Sequence, residues 1–341
     1  MAEQRFLVVR LSSLGDIVHT FPAVAALRES FPNAEIVWLT HPRWKLLVES
    51  SALATQVWAA ETRSLSSLRE ILSHIRERKL SVAIDYQGLW KSAALPLFGG
   101  VPRRIGFSSE TVREYGVPML YNYRVRCTQT HIADQNGELS LRAGARRGCA
   151  AFSLNVSQSD AAAVRHYLQG HSIEHYVALS PGGGWRSKYW PPERFGVLCK
   201  KIREALGLRC IVNYGPGEEQ LASTVRDASG TADPLLYNGD LGPLMALLRN
   251  ALCIVGGDTG PLHLAVALGT PAVALFGPTD PARNGPYRVV DSGSVARSDI
   301  VLRSSRAVTT YKRGKQADPS MLELEVEAVL EAVRRQIEAR A

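Results

Sequence analysis

Cys253-Ile254-Val255-Gly256-Gly257-Asp258-Thr259-Gly260-Pro261-Leu262-His263 opens a segment that closes with Ala272-Val273-Ala274-Leu275-Phe276. It reads as a short buried strand, a glycine-rich turn, a helix over Pro261 to Leu268, and a second buried strand. Pro261 suits the first helical turn, because its missing N–H would have no intrahelical partner there. A strand, helix and strand in close succession predict parallel pairing through a crossover. In open parallel sheets ligands lie beyond the carboxyl ends of the strands, which places a ligand at Asp258-Thr259-Gly260. The unpaired N–H groups and positive end of the helix favour a phosphate there, and Thr259 adds a hydroxyl donor. His263, one turn further on, either faces that site or is packed; its position does not choose.

The same rhythm extends outward. In the first half, apolar runs at Phe6–Leu11, Glu35–Thr40, Ser81–Tyr86 and Arg104–Phe107 alternate with helical segments at Ile17–Phe31, Leu65–Arg78 and Gly88–Phe98. It pauses near residue 150 and restarts with strands at Tyr176–Ser180, Cys210–Tyr214 and Leu235–Tyr237 and helices at Pro192–Ala205, Glu218–Ala228 and Pro243–Asn250. The expected fold class is α/β, with two Rossmann-like doubly wound domains over 1–165 and 175–317, a hinge between about 160 and 175 and a terminal helix over 318–341. Asp318-Pro319-Ser320 supplies the cap and first turn of that helix. Residues 108–135 and 291–316 lack clear periodicity and read as loops carrying basic side chains.

The 341 residues are 45% hydrophobic and 21% charged, enough for two domains each burying a core. Apolar runs are far shorter than the roughly 20 residues that cross a bilayer, and the N-terminus lacks a signal-peptide pattern, so a cytoplasmic protein is expected. Five cysteines without a C-x-x-C pair fit reduced, incidental thiols and neither zinc nor disulfides. The net charge of +8 calls for an anionic partner. Its basic residues are dispersed and accompany no nucleic-acid motif, so nucleic acid is not the expected one.

Three further turns fall at strand ends. Ser12-Ser13-Leu14-Gly15-Asp16 follows the first strand, where a carboxylate either performs chemistry or caps the next helix; position alone favours the cap. Pro181-Gly182-Gly183-Gly184, with Lys188 shortly after, is either a phosphate cradle or an ordinary loop with a solvated lysine. It matches neither the dinucleotide nor the P-loop pattern. Phe276-Gly277-Pro278-Thr279-Asp280-Pro281 either touches a ligand or only forms a turn.

Taken in order, Ser12 to Asp16, Asp85-Tyr86-Gln87-Gly88-Leu89-Trp90-Lys91-Ser92, Lys188 before Trp190-Pro191, Asp258 to His263 and Phe276 to Pro281 resemble glycosyltransferase family 9, the lipopolysaccharide heptosyltransferases. The likeness spans nearly the whole chain and looks nearest to members that add the first heptose. It implies the GT-B architecture, two Rossmann-like domains facing a cleft, and transfer of L-glycero-D-manno-heptose from ADP-heptose to the Kdo of Kdo₂-lipid A, or a related anionic glycolipid. It also implies inversion with no metal or other cofactor, at the cytoplasmic face of the inner membrane through peripheral contact.

By the same resemblance Asp16 is the general base. Lys188, Asp258, Thr259, Gly260, His263, Gly183 and Gly184 line the donor, and Glu218 holds the ribose hydroxyls. Arg113, beside Glu114, is the leading acceptor-binding residue, with Arg63, Lys91 and Gln87 as weaker candidates; Gln87 alternatively only closes its turn. Gly183-Gly184 stand where such enzymes often carry hydroxyl residues, which leaves the sugar open. The alternatives are a family transferase with another donor or acceptor, and a non-catalytic nucleotide-sugar binder.

Overall fold

The structure, a computed structural model, describes residues 4–61, 64–112, 114–289, 295–296, 299–311, 314 and 316–339. The chain divides into two compact units: the first runs to Asn155 and takes in Val289–Ala296, and the second comprises Val156–Arg288 and the chain from Arg297. The crossing after Asn155 precedes a helix, Gln158–Gly170, that occupies much of the stretch where the sequence suggests a hinge.

In the first unit the strands are β1 (Arg5–Val9), β2 (Glu35–Thr40), β3 (Gln56–Ala59), β4 (Val82–Asp85), β5 (Arg103–Phe107) and β6 (Tyr123–Val125). They form one parallel sheet in the order β3-β2-β1-β4-β5-β6. Its helices are α1 (Leu14–Val18), α2 (Phe21–Ser30), α3 (Lys45–Ser50), α4 (Leu65–Arg78), α5 (Trp90–Phe98) and α6 (Ile132–Ala143). One sheet face packs Leu7, Val9, Val37, Leu39 and Ala83 against Ile71, Ile75 and Leu95 of α4 and α5. On the other face Phe6 and Trp38 meet the rings of Phe31 and Phe21. Strands buried on both faces read as continuous apolar runs, which is why β1 and β2 stand out in the sequence.

The second unit repeats the design. Its strands are β7 (Tyr176–Ser180), β8 (Arg209–Asn213), β9 (Leu235–Tyr237), β10 (Cys253–Gly257), β11 (Ala272–Phe276) and β12 (Ile300–Arg303). All neighbours are parallel, in the order β12-β11-β10-β7-β8-β9. The helices are α7 (Gln158–Gly170), α8 (Pro192–Leu206), α9 (Glu219–Ala228), α10 (Leu241–Asn250), α11 (Gly260–Ala267), α12 (Pro281–Asn284), α13 (Pro319–Leu322) and α14 (Val326–Glu338). Val177, Leu179, Val212, Val255, Val273 and Leu275 pack against Phe195, Leu198 and Ile202 of α8 and Val329 and Val333 of α14. In each sheet the strand order reverses beside the unit's first strand, between β1 and β4 and between β7 and β10. These are the switch points at which doubly wound folds open a crevice.

Several elements depart from the sequence expectation. The helix expected over Ile17–Phe31 is two helices, because Pro22 sits in the first turn of α2 and donates no N–H back to α1. The loop expected over 108–135 contains β6 and the start of α6, and that over 291–316 contains β12. β3, β6 and β12 are edge strands, half-buried and paired on one side; β6 presents no apolar run, that of β3 is short, and that of β12 is only Ile300-Val301-Leu302. In α6 the buried face carries Asn136, Gly137 and Ser140. Asn136 donates to the His19 carbonyl at 3.0 Å and Ser140 to that of Ala23 at 2.8 Å, so polar satisfaction replaces apolar periodicity. The terminal helix is broken into α13 and α14, with Asp318 capping the first through the Ser320 N–H at 3.0 Å.

All five cysteines are free thiols. Among the described residues, no helix is long and apolar enough to cross a membrane.

Trp190 ties the loop after β7 to the C-terminal helices. It is 1% exposed, stands edge-on to Phe195 at 4.8 Å, and donates its indole N–H to the Leu324 carbonyl at 2.9 Å. Replacing Trp190 by Ala removes a large core side chain and is expected to destabilise the protein by about 3–5 kcal/mol in urea denaturation. A loss below about 1 kcal/mol would contradict this packing role.

Candidate active site

At the switch point of the second unit, the loop after β7 and the turn after β10 meet. Lys188 lies in a single 3₁₀ turn, Arg186–Lys188, and its ammonium is 2.6 Å from Asp258 Oδ2. It also sits over the Trp185 ring, 4.4 Å from the centroid. Asp258 Oδ1 is 3.0 Å from His263 Nε2, and the Asp258 side chain is only 6% exposed. Burial alone would raise the Asp258 carboxyl, but the His263 hydrogen bond and the Lys188 charge outweigh it and hold the group well below the usual carboxylate range. His263 is thus both packed and turned toward the site.

Thr259 is the N-cap residue of α11, in extended conformation, followed by Gly260 and Pro261 in the first turn. Its hydroxyl is buried with no hydrogen-bond partner among the described residues. A hydroxyl and a helix N-terminus beside a lysine form an anion site. Glycine is required where the loop crosses this turn: a Cβ on Gly183 would lie 2.6 Å from Thr259 Cγ2, and one on Gly182 would meet the Glu218 carboxylate at 2.3 Å. Gly184 faces open space. Glu218 accepts from the backbone N–H groups of Gly183 at 2.9 Å and Gly215 at 2.8 Å, which pins two loops together. Tyr189 braces the same loop, its hydroxyl donating to the Gly183 carbonyl at 2.6 Å. Asp280 caps α12 through the Ala282 N–H at 2.9 Å, as a turn residue does.

At the switch point of the first unit, Asp16 is the third residue of α1. Its Oδ2 accepts from the Ser13 N–H at 3.0 Å and the Ser13 hydroxyl at 2.7 Å, so it does reach back to cap the helix. Its Oδ1 lies 2.9 Å from Arg10 Nη2, and the side chain remains 42% exposed. Gln87, after β4, accepts from the Leu11 N–H at 2.6 Å and the Ser12 N–H at 3.3 Å, fixing the loop that carries Asp16. Beneath it Asp85, 1% exposed, accepts from the N–H groups of Gln87 and Gly88 and from the hydroxyls of Ser92 and Tyr121. Burial pushes the Asp85 carboxyl up, against those hydrogen bonds.

Lys91 is exposed in the first turn of α5. Arg113 and Arg63 lie outside the described residues. The α5 N-terminus is capped by the neighbour of Arg113, Glu114, which accepts the Trp90 N–H at 2.7 Å. Sequence reasoning missed Arg10, Asp85 and Tyr189 as participants. Asp85 carries a readable signal, a charged residue closing an otherwise apolar strand.

Comparison with known proteins bears on the family and the fold. The family model for glycosyltransferase family 9 (heptosyltransferase) matches residues 68–301. Lipopolysaccharide heptosyltransferase 1 of Escherichia coli K12 is 28% identical over 302 residues, 83% of this chain and 91% of that protein. Among solved structures, a glycosyl transferase family 9 protein from Veillonella parvula superposes with a TM-score of 0.84 at 21% identity, covering 98% of each chain. The E. coli heptosyltransferase WaaC with ADP does so at 0.76 and 23% identity, covering 98% of this chain and 100% of that one. The doubly wound units are those of the GT-B fold, and by its sequence this chain belongs to glycosyltransferase family 9, as a glycosyltransferase.

Proposed function

We propose that this enzyme transfers L-glycero-D-manno-heptose from ADP-heptose to the Kdo of Kdo₂-lipid A, with inversion and without a metal, in the assembly of the lipopolysaccharide inner core. The observation that carries the reading is the buried Lys188–Asp258–His263 cluster beside the N-terminus of α11. It supplies positive charge and N–H donors for a leaving diphosphate, and the relatives that match are heptosyltransferases. The α11 N-terminus and Thr259 hydroxyl take the donor phosphates, Lys188 neutralises charge as it develops, and Asp258 and His263 orient Lys188 and the sugar. Glu218 holds the ribose hydroxyls beside the Gly183-Gly184 loop.

In the transfer the acceptor hydroxyl oxygen forms a bond to C1 of the heptose on the face opposite ADP. The bond from C1 to the phosphate oxygen breaks, its electron pair leaves with ADP, and the hydroxyl proton passes to Asp16. Arg113, Arg63 and Lys91 are proposed to take the acceptor's carboxylates and phosphates, and Gln87 to keep the Asp16 loop in place. The net charge of +8 supports a cytoplasmic protein held peripherally at an anionic membrane face. One observation favours a second reading, a different sugar in the same site: Gly184 leaves open space where such enzymes often carry a hydroxyl residue.

Incubation with ADP-heptose and Kdo₂-lipid A is expected to release ADP; no release from active substrates would refute the assignment. Asp16→Asn should lower kcat by a factor of roughly 10² to 10⁴, the range of general-base contributions, with ADP affinity unchanged. Near-normal turnover would remove Asp16 from the chemistry. Lys188→Ala should weaken ADP binding as well as rate, and calorimetry showing unaltered affinity would contradict its place at the phosphates.

A further inference from the structure

We infer that Arg10 is the positioning residue for Asp16, fixing the direction of its carboxylate and keeping it ionised; this rests on Asp16 acting as the base. Arg10 directly follows β1 and is 5% exposed, a rare setting for an arginine unless both arms are engaged. One arm is bound to the backbone: Nη1 donates to the carbonyl of Tyr86, the residue after β4. The other is bound to Asp16, with Nη2 at 2.9 Å from Oδ1. Nε is buried without a hydrogen-bond partner among the described residues, so the guanidinium is held through its two terminal nitrogens. The group therefore spans the two strands at the switch point and presents a fixed cation to the side of Asp16 opposite Ser13, whose N–H and hydroxyl hold Oδ2.

A planar guanidinium anchored at one end defines the plane and direction of the carboxylate at the other, which a lysine on a flexible stem does not. A cation beside a carboxylate also favours its ionised form. A base so held stays ready to accept a proton in mildly acidic solution. Other titratable groups in this part of the first unit include Asp85 at the end of β4, His19 directly after α1, His41, whose N–H donates to the Leu11 carbonyl, and His131 and Asp134 at the start of α6. All are unchanged in the variants below.

The test compares Arg10→Met and Arg10→Lys with Asp16→Asn, in ADP release and in ADP binding. Arg10→Met should lower kcat about 10-fold or more while leaving donor KM and ADP affinity within about threefold, and move the acid limb of kcat/KM to higher pH. The sign follows from removing a cation that favours the carboxylate. Arg10→Lys should restore the limb but only part of kcat. An unmoved limb with near-normal kcat in Arg10→Met, while Asp16→Asn is inactive, would overturn the role of Arg10 alone. Full turnover in Asp16→Asn would instead overturn the base assignment on which it rests. Loss of ADP binding in both Arg10 variants would show a structural role and also overturn it.

Discussion

The buried ion pair between Lys188 and Asp258 is the constraint on which the second unit's site depends. A carboxylate that is 6% exposed is costly unless paired and hydrogen-bonded, and here an ammonium at 2.6 Å and an imidazole nitrogen at 3.0 Å meet its two oxygens. Bringing those partners together requires the loop after β7 to fold onto the turn after β10. That approach is why Gly183 has no room for a Cβ against Thr259 and why Gly257 has none against the Lys188 carbonyl, 2.9 Å from where it would stand. The pair thus sets the loop path, beside which the Thr259 hydroxyl is left without a hydrogen-bond partner among the described residues. A site that keeps its cation bound to an aspartate is preorganised: the charge is in place before a phosphate arrives.

The two units use one topology for different tasks. Each places a strand-end carboxylate at its switch point, Asp16 after β1 and Asp258 after β10. Their environments differ. Asp258 is enclosed, with a cation and an imidazole, and is held ionised as a structural anion. Asp16 remains partly exposed on a helix of one turn, with a buried arginine at one oxygen and a serine at the other. One carboxylate is enclosed between a lysine and a histidine, and the other keeps an exposed face.

Much of this was legible in the sequence. The central strands β1, β2, β7, β10 and β11 are buried on both faces and announce themselves as apolar runs, and the glycine-rich turns between them and their helices mark the strand ends. The residues that meet at the second switch point, Lys188, Gly183, Glu218, Asp258, Thr259 and His263, were all named from those turns and the family resemblance. The edge strands β3, β6 and β12 were not visible, because one-sided pairing asks little of their side chains. Helix α6 was hidden by a buried face of Asn136, Gly137 and Ser140, where the Asn136 and Ser140 side chains donate to the carbonyls of His19 and Ala23 instead of filling an apolar stripe. Arg10 escaped because a charged residue at a strand end reads as the edge of the core; only its contacts with Tyr86 and Asp16 show otherwise.

In the proposed transfer, protein groups alone, Lys188 and the α11 N-terminus, hold the donor diphosphate. Calorimetric titration of ADP into the protein in excess EDTA and again in millimolar Mg²⁺ tests it most directly. The expected result is the same Kd in both, within about threefold, less than the tenfold that corresponds to 1.4 kcal/mol. Binding that disappears in EDTA and returns with Mg²⁺ would contradict it.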